Sequence, residues 1–108
     1  MALKTKTKIG IIGAGAWGTA LSNILAQKQN VILWAKEKNV CDNINKHQEN
    51  KRFLPKIKLS KKIHCTTQIG DLDGCDILLL VIPVQYLSGV LVKLKNSLST
   101  KTIFVCCS

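Results

Sequence analysis

A glycine pattern near the amino terminus has the spacing expected of a phosphate-binding turn. Residues 13–18 read Gly-Ala-Gly-Ala-Trp-Gly, which fits G-x-G-x-x-G, and they join a β-branched run at 8–12 to a helix-periodic stretch at 16–27. In such a turn the first glycine permits the bend, the second lets a pyrophosphate approach the backbone, and the third allows close helix–strand packing. The phosphates would bind free N–H groups at the positive helix end. The pattern could also be a tight turn without a ligand, but in this context it predicts a dinucleotide site at Gly13, Ala14, Gly15, Ala16, Trp17 and Gly18.

The residues after the second predicted strand bear on which dinucleotide would bind. That strand covers 31–34 and is followed by Ala35, Lys36, Glu37 and Lys38. A carboxylate here typically binds the ribose 2′-hydroxyl of NAD, whereas a cation accommodates the 2′-phosphate of NADP. Lys36, helped by Lys38, fits the second case, and Glu37 fits the first if the strand ends later. We expect NADP or NAD as the cofactor, with NADP favoured; the alternative is that Lys36 is only a surface charge.

The elements that must position these residues alternate between strand and helix. β-Branched or apolar runs predict five strands, at 8–12, 31–34, 63–66, 77–82 and 102–106. The fourth run is apolar on both faces, which is typical of a central parallel strand covered by helices, and Pro83 should end it. The order predicts an α/β fold, a Rossmann-type doubly wound parallel sheet of about five strands in the order 3-2-1-4-5, incomplete at its carboxyl-terminal edge.

Helical periodicity places helices in the intervals between the strands. Helices are predicted at 16–27, at 39–50 and over the leucine stripe of 87–98, with a short helix or turn at 68–74 and a lysine-rich loop at 51–62. In the first helix the apolar residues recur at i, i+3, i+4, i+7 and i+8. That spacing predicts one buried face formed by Trp17, Ala20, Leu21, Ile24 and Leu25.

The positive charge of the chain is confined to its first half. The formal net charge is +10, and residues 1–62 hold 13 of the 16 Lys and Arg residues. A basic half can indicate an anionic partner such as nucleic acid, a phosphate ligand or a membrane surface, while the simpler interpretation is a solvated lysine-rich surface. Proteins that bind single strands interleave aromatic residues with cations, and only 5% of this chain is aromatic. Nucleic acid is therefore not an expected partner.

The cysteine and histidine positions do not have the spacing of a metal site. The five cysteines include no C-x-x-C pair, and the two histidines stand apart from them, whereas zinc ligands usually come in closely spaced pairs. We expect no metal and interpret the cysteines as buried structural thiols, including the pair at 106–107. No apolar run approaches the roughly 18 residues of a membrane span, and no signal-peptide pattern is present. These features predict a cytoplasmic protein without a membrane span.

Further segments extend the glycine pattern into a set of motifs. Residues 11–21 read Ile-Ile-Gly-Ala-Gly-Ala-Trp-Gly-Thr-Ala-Leu, the second strand ends in Leu-Trp, and residues 49–55 read Glu-Asn-Lys-Arg-Phe-Leu-Pro. Thr-Thr at 66–67, Asp76 before the fourth strand and Val-Ile-Pro at 81–83 complete the set. Together they resemble the amino-terminal domain of bacterial NAD(P)-dependent sn-glycerol-3-phosphate dehydrogenases, over essentially the whole chain.

The resemblance implies roles for particular residues. Ala16 stands where the common family form has serine, and with Trp17 it would line the cofactor through backbone and ring. Lys36 and Glu37 fall at the adenosine-ribose positions. The simpler interpretation of Trp17 is core packing under the loop.

Two later residues also acquire implied roles. Phe53 falls at an aromatic position that flanks the cofactor, although with Leu54 it could instead form a hydrophobic clip for the lysine-rich loop. Pro83 begins the loop that the family places beside the nicotinamide, although it could simply terminate a strand.

The resemblance further implies a reaction, the reduction of dihydroxyacetone phosphate to sn-glycerol 3-phosphate in glycerol-3-phosphate and phospholipid metabolism. The family continues with Ser-Lys-Gly and a helical domain that supplies a catalytic lysine and most of the substrate phosphate site, whereas this sequence ends at Ser108. We expect 1–108 to form the dinucleotide-binding domain alone, with no catalytic residue of its own. The chain would be half of an oxidoreductase, joined by a separately encoded helical domain or by self-association; the alternative is a non-catalytic dinucleotide-binding module or a degraded gene remnant.

Overall fold

Five parallel strands of four residues each form the central sheet. The computed structural model describes residues 7–98 and 103–107. Its strands are β1 (Ile9–Ile12), β2 (Val31–Trp34), β3 (Ile63–Thr66), β4 (Ile77–Leu80) and β5 (Ile103–Cys106). They are hydrogen-bonded in the order β3-β2-β1-β4-β5. This confirms the predicted strand order; Thr102 of the predicted last strand and Ser108 lie outside the described residues.

The helices occur where the periodicity placed them, with somewhat shorter bounds. They are α1 (Ala16–Leu25), α2 (Lys38–His47) and α3 (Leu87–Ser97), with 3₁₀ turns at Ile69–Leu72 and Val84–Tyr86. The helix α2 ends before the predicted residue 50 because Gln48 adopts a left-handed conformation, with φ of 53°. A left-handed residue cannot continue a right-handed helix and commonly ends one.

Two apolar cores, one on each face of the sheet, make the fold doubly wound. Along β1, Ile11 packs into the core under α1 and α2, and Ile12 packs into the core under α3. The leucine stripe of α3 is the contact that the spacing predicted, with Leu94 fully buried and its neighbours half-buried against the same core. Because both faces are covered, the central strands are apolar on both sides.

The buried face of α1 matches the predicted one only in part. Leu21 and Leu25 are half-buried against the core, as predicted. Trp17 and Ile24 are instead 72% and 62% exposed, and the residues that the helix buries fully are Gly18, Thr19 and Ser22. The helix lies too close to β1 for large side chains, so small residues fill the contact. The Ser22 hydroxyl donates to the Gly18 carbonyl at 2.7 Å, which satisfies it inside the interface.

The sequence predicted that Pro83 ends the fourth strand, but the strand ends before it. The strand β4 ends at Leu80, and Val81 then donates one more hydrogen bond to the Ile12 carbonyl at 2.8 Å. Pro83 is exposed and precedes the 3₁₀ turn at Val84–Tyr86, where its carbonyl accepts from Tyr86 at 3.0 Å. Its fixed φ therefore starts a turn rather than stopping a strand.

The cysteines fall into two groups. Cys41, Cys65 and Cys75 are buried as predicted, but Cys106 is exposed and Cys107 is only half-buried. The prediction for the terminal pair was wrong because β5 is an edge strand whose residues are all exposed. Within the described ranges, no three His, Cys, Asp or Glu side chains are grouped so that they could hold a metal ion, and no helix there is long and apolar enough to cross a membrane.

Candidate functional site

The candidate site lies where the strand order reverses. The strand β1 has β2 on one side and β4 on the other, and in open α/β sheets ligands bind in the crevice at the carboxyl ends of the strands beside such a reversal. The loop after β1 carries the glycine pattern, and the loop after β4 carries residues 81–83. Gly13 continues from β1 and donates to the Trp34 carbonyl at 3.0 Å, which fixes the loop to the end of β2 as well.

Two glycines of the pattern are required by the fold itself. Gly13 has a φ of +115°, which side-chain-bearing residues rarely adopt, and a Cβ there would collide with the carbonyl oxygen of Val81. A Cβ on Gly18 would collide with the carbonyl oxygen of Gly13. The first and third glycines therefore serve the turn and the helix–strand contact that the motif predicted.

Gly15 is different, because nothing in the folded chain requires it. Its φ is −72°, which any residue can adopt, and an added Cβ would meet no described atom within 4 Å. The glycine therefore faces open space at the start of α1. Open space at this position is what the motif requires, since the second glycine of a dinucleotide site serves the approach of a ligand rather than the fold.

The start of α1 is also free to bind an anion. Gly15 is the residue before the first helical turn, no described side chain caps it, and the turn holds no acidic residue. The first N–H groups of a helix have no partner within the helix, and they lie at its positive end. These donors and the space beside Gly15 together form a cradle for a phosphate group.

Trp17 stands at the mouth of the crevice rather than in the core. Its 72% exposure shows that the core-packing interpretation was wrong. With Leu21, Val81 and Cys107 it lines an apolar cleft, so helix α1 and the segments after β4 and β5 meet there. Ala16 beside it is exposed as well.

At the end of β2 the structure brings together more charges than the sequence predicted. Lys36 is exposed, and Glu37 is half-buried at the residue before α2. Lys38 is directed to its own helix, where its Nζ lies 3.1 Å from Asp42 Oδ2. The unexpected residue is Arg52, whose Nη1 lies 4.0 Å from Glu37 Oε2. In the sequence, its position in the 49–55 block, beside an aromatic residue, was the feature that could have indicated a role for Arg52.

Phe53 lies between this charged group and the core. Its ring is half-buried against the core under α1 and α2, as the clip interpretation expected, and the guanidinium carbon of Arg52 lies 4.9 Å from the ring centroid. Contact between Phe53 and a cofactor stays a prediction. The backbone N–H of Phe53 donates to Asn50 Oδ1 at 3.1 Å, and Asn50 is a buried residue to which the sequence assigned no role.

The described residues around the crevice do not include a candidate acid or base for a carbonyl substrate. His64 lies on the edge strand β3 and His47 at the last turn of α2, both away from the reversal point. Burial raises the pKa of the Cys41, Cys65 and Cys75 thiols, so they stay protonated at neutral pH. Among the described residues, the crevice therefore offers an uncapped helix start and an apolar cleft, without a candidate acid or base beside them.

Comparison with known proteins gives a consistent set of relatives. A family model described as the N-terminus of NAD-dependent glycerol-3-phosphate dehydrogenase matches residues 8–108. The glycerol-3-phosphate dehydrogenase (NAD(P)+) of Maridesulfovibrio salexigens is 42% identical over 103 residues, which are 94% of this chain and 31% of that protein. The enzyme of the same name from Maricaulis maris is 49% identical over 84 residues, 77% of this chain and 25% of that protein. The chain therefore spans less than a third of the length of these relatives.

Solved structures show the same fold. The structure of glycerol-3-phosphate dehydrogenase from Coxiella burnetii has a TM-score of 0.86 and 32% sequence identity, with 94% of this chain and 32% of that chain covered. The Saccharomyces cerevisiae enzyme has a TM-score of 0.87 with 95% and 33% covered, and at 24% identity it supports the fold alone.

Proposed function

Since the chain belongs to the family of NAD-dependent glycerol-3-phosphate dehydrogenase N-termini, we propose that it is the dinucleotide-binding part of a glycerol-3-phosphate dehydrogenase. The observation that carries this proposal is the open, anion-ready space beside Gly15 at the start of α1. The relatives with the same name act with NAD(P)+. When bound, a nicotinamide cofactor supplies the hydride that reduces the carbonyl of dihydroxyacetone phosphate.

Each part of the crevice has a role in holding the cofactor. The backbone N–H groups of Gly15 and Ala16 bind the pyrophosphate, with Ala14 behind them as the anchored part of the loop. The exposed ring of Trp17 and Val81 line the apolar cleft that would receive the nicotinamide side of the cofactor, and Pro83 would shape the loop beside it. Phe53 flanks the adenosine side.

The charges at the end of β2 favour NADP over NAD. Lys36 forms no ion pair with another described residue, and its position two residues after the end of β2 suits a 2′-phosphate. Arg52 adds a second cation nearby and engages Glu37, the one carboxylate that could otherwise accept from a 2′-hydroxyl. We propose that Lys36 and Arg52 together set the preference, and that Glu37 positions Arg52.

The reaction needs a substrate-binding half that lies outside the 108 residues. We propose that residues 1–108 form one domain and that further polypeptide, in the same chain or separately encoded, supplies the helical substrate domain. The protein would act in the cytoplasm, where its phosphorylated substrate is found. A non-catalytic dinucleotide-binding module is the alternative, and it shares every residue of the crevice.

Substitution of Gly15 tests the cofactor site directly. Gly15→Val should lower the unfolding midpoint of the chain only modestly: its φ and surroundings accept a side chain, although valine is less favourable than glycine before a first helical turn. The same substitution should abolish binding of NADPH and NADH, because the valine fills the space of the pyrophosphate. Binding is measured by calorimetry and by tryptophan fluorescence, to which the exposed Trp17 contributes.

The matched control is Gly89→Val in α3, where an added Cβ also meets no described atom within 4 Å. It should bind both dinucleotides as the wild type does. Wild-type affinity in Gly15→Val would show that no pyrophosphate lies at this loop and would refute the proposed function.

A further inference from the structure

We infer that Asn50 is a positioning residue that sets the direction of the phosphate-binding N–H groups in the glycine loop. Asn50 is 1% exposed, although it lies in a loop rich in lysine. Its Nδ2 donates to the carbonyl oxygen of Ala14 at 2.9 Å and to Thr19 Oγ1 at 2.8 Å. Both partners flank the phosphate-binding turn, 36 and 31 residues away in sequence. The inference rests on the proposed function, because it assumes that the turn binds a dinucleotide.

The Ala14 carbonyl is the atom through which Asn50 acts. It accepts two hydrogen bonds, one from Asn50 and one from Thr19 Oγ1 at 3.2 Å. The C=O of Ala14 and the N–H of Gly15 belong to the same planar trans peptide, so they point in opposite directions. Donors that hold the carbonyl toward the protein interior therefore hold the Gly15 N–H toward the open space beside α1.

The same side chain also fixes the segment on the adenosine side. Asn50 Oδ1 accepts from the backbone N–H of Phe53 at 3.1 Å, and the Asn50 carbonyl accepts from Leu54 at 2.8 Å. These two bonds, one to the side chain and one to the backbone carbonyl, close the turn that presents Arg52 next to Glu37. The buried Asn50 residue therefore connects the phosphate side of the crevice to its adenosine side by hydrogen bonds.

Only a neutral amide meets the demands of this position. Two donors and one acceptor are needed from a single short side chain, and asparagine supplies them. An aspartate would keep the acceptor for Phe53 but would place a second oxygen against the Ala14 carbonyl oxygen. That repulsion would turn the Ala14–Gly15 peptide, and the N–H would leave its position.

The test compares Asn50→Asp with the matched control Asn45→Asp. Asn45 makes the same kind of contact elsewhere: its Nδ2 donates to the Cys65 carbonyl and its Oδ1 accepts from the Cys65 N–H, each at 2.8 Å. Asn50→Asp should weaken NADPH and NADH binding equally, by about tenfold or more. Asn45→Asp should lower the unfolding midpoint without changing either affinity, measured by calorimetry well below that midpoint.

A second readout separates this inference from the proposed function. In amide NMR spectra of the ligand-free chain, Asn50→Asp should shift the signals of Gly15 and Ala16, whereas Asn45→Asp should leave them in place. Unshifted signals, or equal losses of affinity in the two variants, would overturn the positioning role. If the wild type binds neither dinucleotide, the proposed function fails and the amide shifts alone decide the inference.

A further variant covers the case in which Asn50→Asp does not fold. Thr19→Val is nearly isosteric and removes the other donor to the Ala14 carbonyl, together with one acceptor of Asn50. It should weaken both dinucleotides several-fold and shift the same two amide signals. Wild-type affinity and unshifted signals in Thr19→Val would refute the inference as well.

Discussion

At the scale of residues, the glycines of the crevice have two kinds of role: some are required by the fold, and one is explained by a ligand. Gly13 and Gly18 cannot carry a side chain without a collision inside the protein, whereas Gly15 can. The motif specifies glycine at position 15, although the fold would accept a side chain there. Its role must therefore concern a ligand. The same reasoning applies to Trp17, because an exposed tryptophan gains little from the fold and much from a planar ligand.

Lys36 carries the prediction about cofactor choice. Lys36→Ala should lower the affinity for NADPH by about tenfold or more, because a charge-assisted hydrogen bond contributes about 1.5–3 kcal/mol. The affinity for NADH should change little, and the NADPH preference of the wild type should weaken as salt is added. Competition titrations of both cofactors at two salt concentrations measure the effect.

A lysine at the opposite end of the strands provides the control. Lys28 is exposed in the turn between α1 and β2, at the amino ends of the strands. Lys28→Ala should leave both affinities unchanged, apart from a small loss of general attraction. An equal loss of NADPH affinity in the two variants would mean that net charge, and not the position of Lys36, makes the preference.

The buried thiols give a prediction about pH. Cys41 and Cys65 lie with their Sγ atoms 2.9 Å apart, and burial raises the pKa of both thiols above the ordinary value of 9.0. In the unfolded chain they release protons near that value, while in the folded chain they keep them. The unfolded state then binds fewer protons, so stability is fully present below about pH 9 and falls as the pH rises further, by up to about 1.4 kcal/mol per unit for each thiol.

Urea unfolding at several pH values between 8 and 10 checks this sign. Cys65→Ala should be less stable overall, because it leaves a cavity, yet its stability should fall less steeply with pH. Cys106→Ala changes an exposed thiol and should keep the wild-type slope. If the stability of Cys65→Ala fell with pH as steeply as that of the wild type, groups other than this thiol would cause the loss of stability at high pH.

Asn50 and Arg52 show the limit of sequence reasoning about residues. Both lie in a block whose spacing was informative about the family, but their roles depend on partners that spacing does not give. Asn50 bonds across 36 residues to Ala14, and Arg52 pairs with Glu37 from the other end of helix α2. A polar residue in a lysine-rich loop is normally solvated, so only the fold could show that this one is buried.

At the scale of elements, periodicity determined most of the architecture. The strands followed from continuous apolar runs, the helices from apolar residues with a period of 3.6, and the strand order from the alternation of the two. The buried face of α1 followed only in part: Leu21 and Leu25 pack against the core as expected. The full burial of small residues in that helix did not follow, since hydrophobicity points to its large residues while close approach to β1 selects its small ones. The contact between α1 and β1 depends on the distance between the two elements, and the hydrophobic pattern of one helix does not predict that distance.

The edge strand β5 carries the prediction for this scale. Among the described residues it pairs only with β4, and Ile103, Phe104 and Val105 are 61%, 39% and 41% exposed. An apolar strand with a free edge is prone to pair with another chain. The isolated 108-residue chain should therefore associate with rising concentration, as measured by light scattering.

A charge placed on that edge should suppress the association. Val105→Lys should shift the chain toward the monomer, because lysine on an edge strand opposes pairing. Ile24→Lys is the control, since Ile24 is equally apolar and 62% exposed but lies on α1. If both variants associate like the wild type, β5 is not the contact; if the wild type stays monomeric throughout, the prediction is wrong.

At the scale of the whole molecule, the described residues beside the reversal point fit a role in holding a cofactor better than a role in chemistry on a carbonyl. The cleft beside the reversal point is lined by Trp17, Leu21, Val81 and Cys107. None of these apolar or weakly polar side chains can hold a phosphorylated substrate or stabilise the oxyanion that develops on its carbonyl oxygen. A nicotinamide held there would contact an apolar surface on one side, and the other side would be open to another domain.

The 108-residue chain should consequently bind NADPH without reducing dihydroxyacetone phosphate. Orientation of the reactants contributes about 7–11 kcal/mol, and an oxyanion donor about 3–4 kcal/mol more; the crevice supplies neither to the substrate. The assay follows NADPH absorbance with and without dihydroxyacetone phosphate, with the full-length Maridesulfovibrio salexigens enzyme as the positive control. Gly15→Val serves as the blank, since any oxidation that survives it does not come from this site. Substrate-dependent turnover by the wild-type chain that Gly15→Val abolishes would show that the cofactor domain alone is an enzyme, and that the substrate half is not needed for hydride transfer.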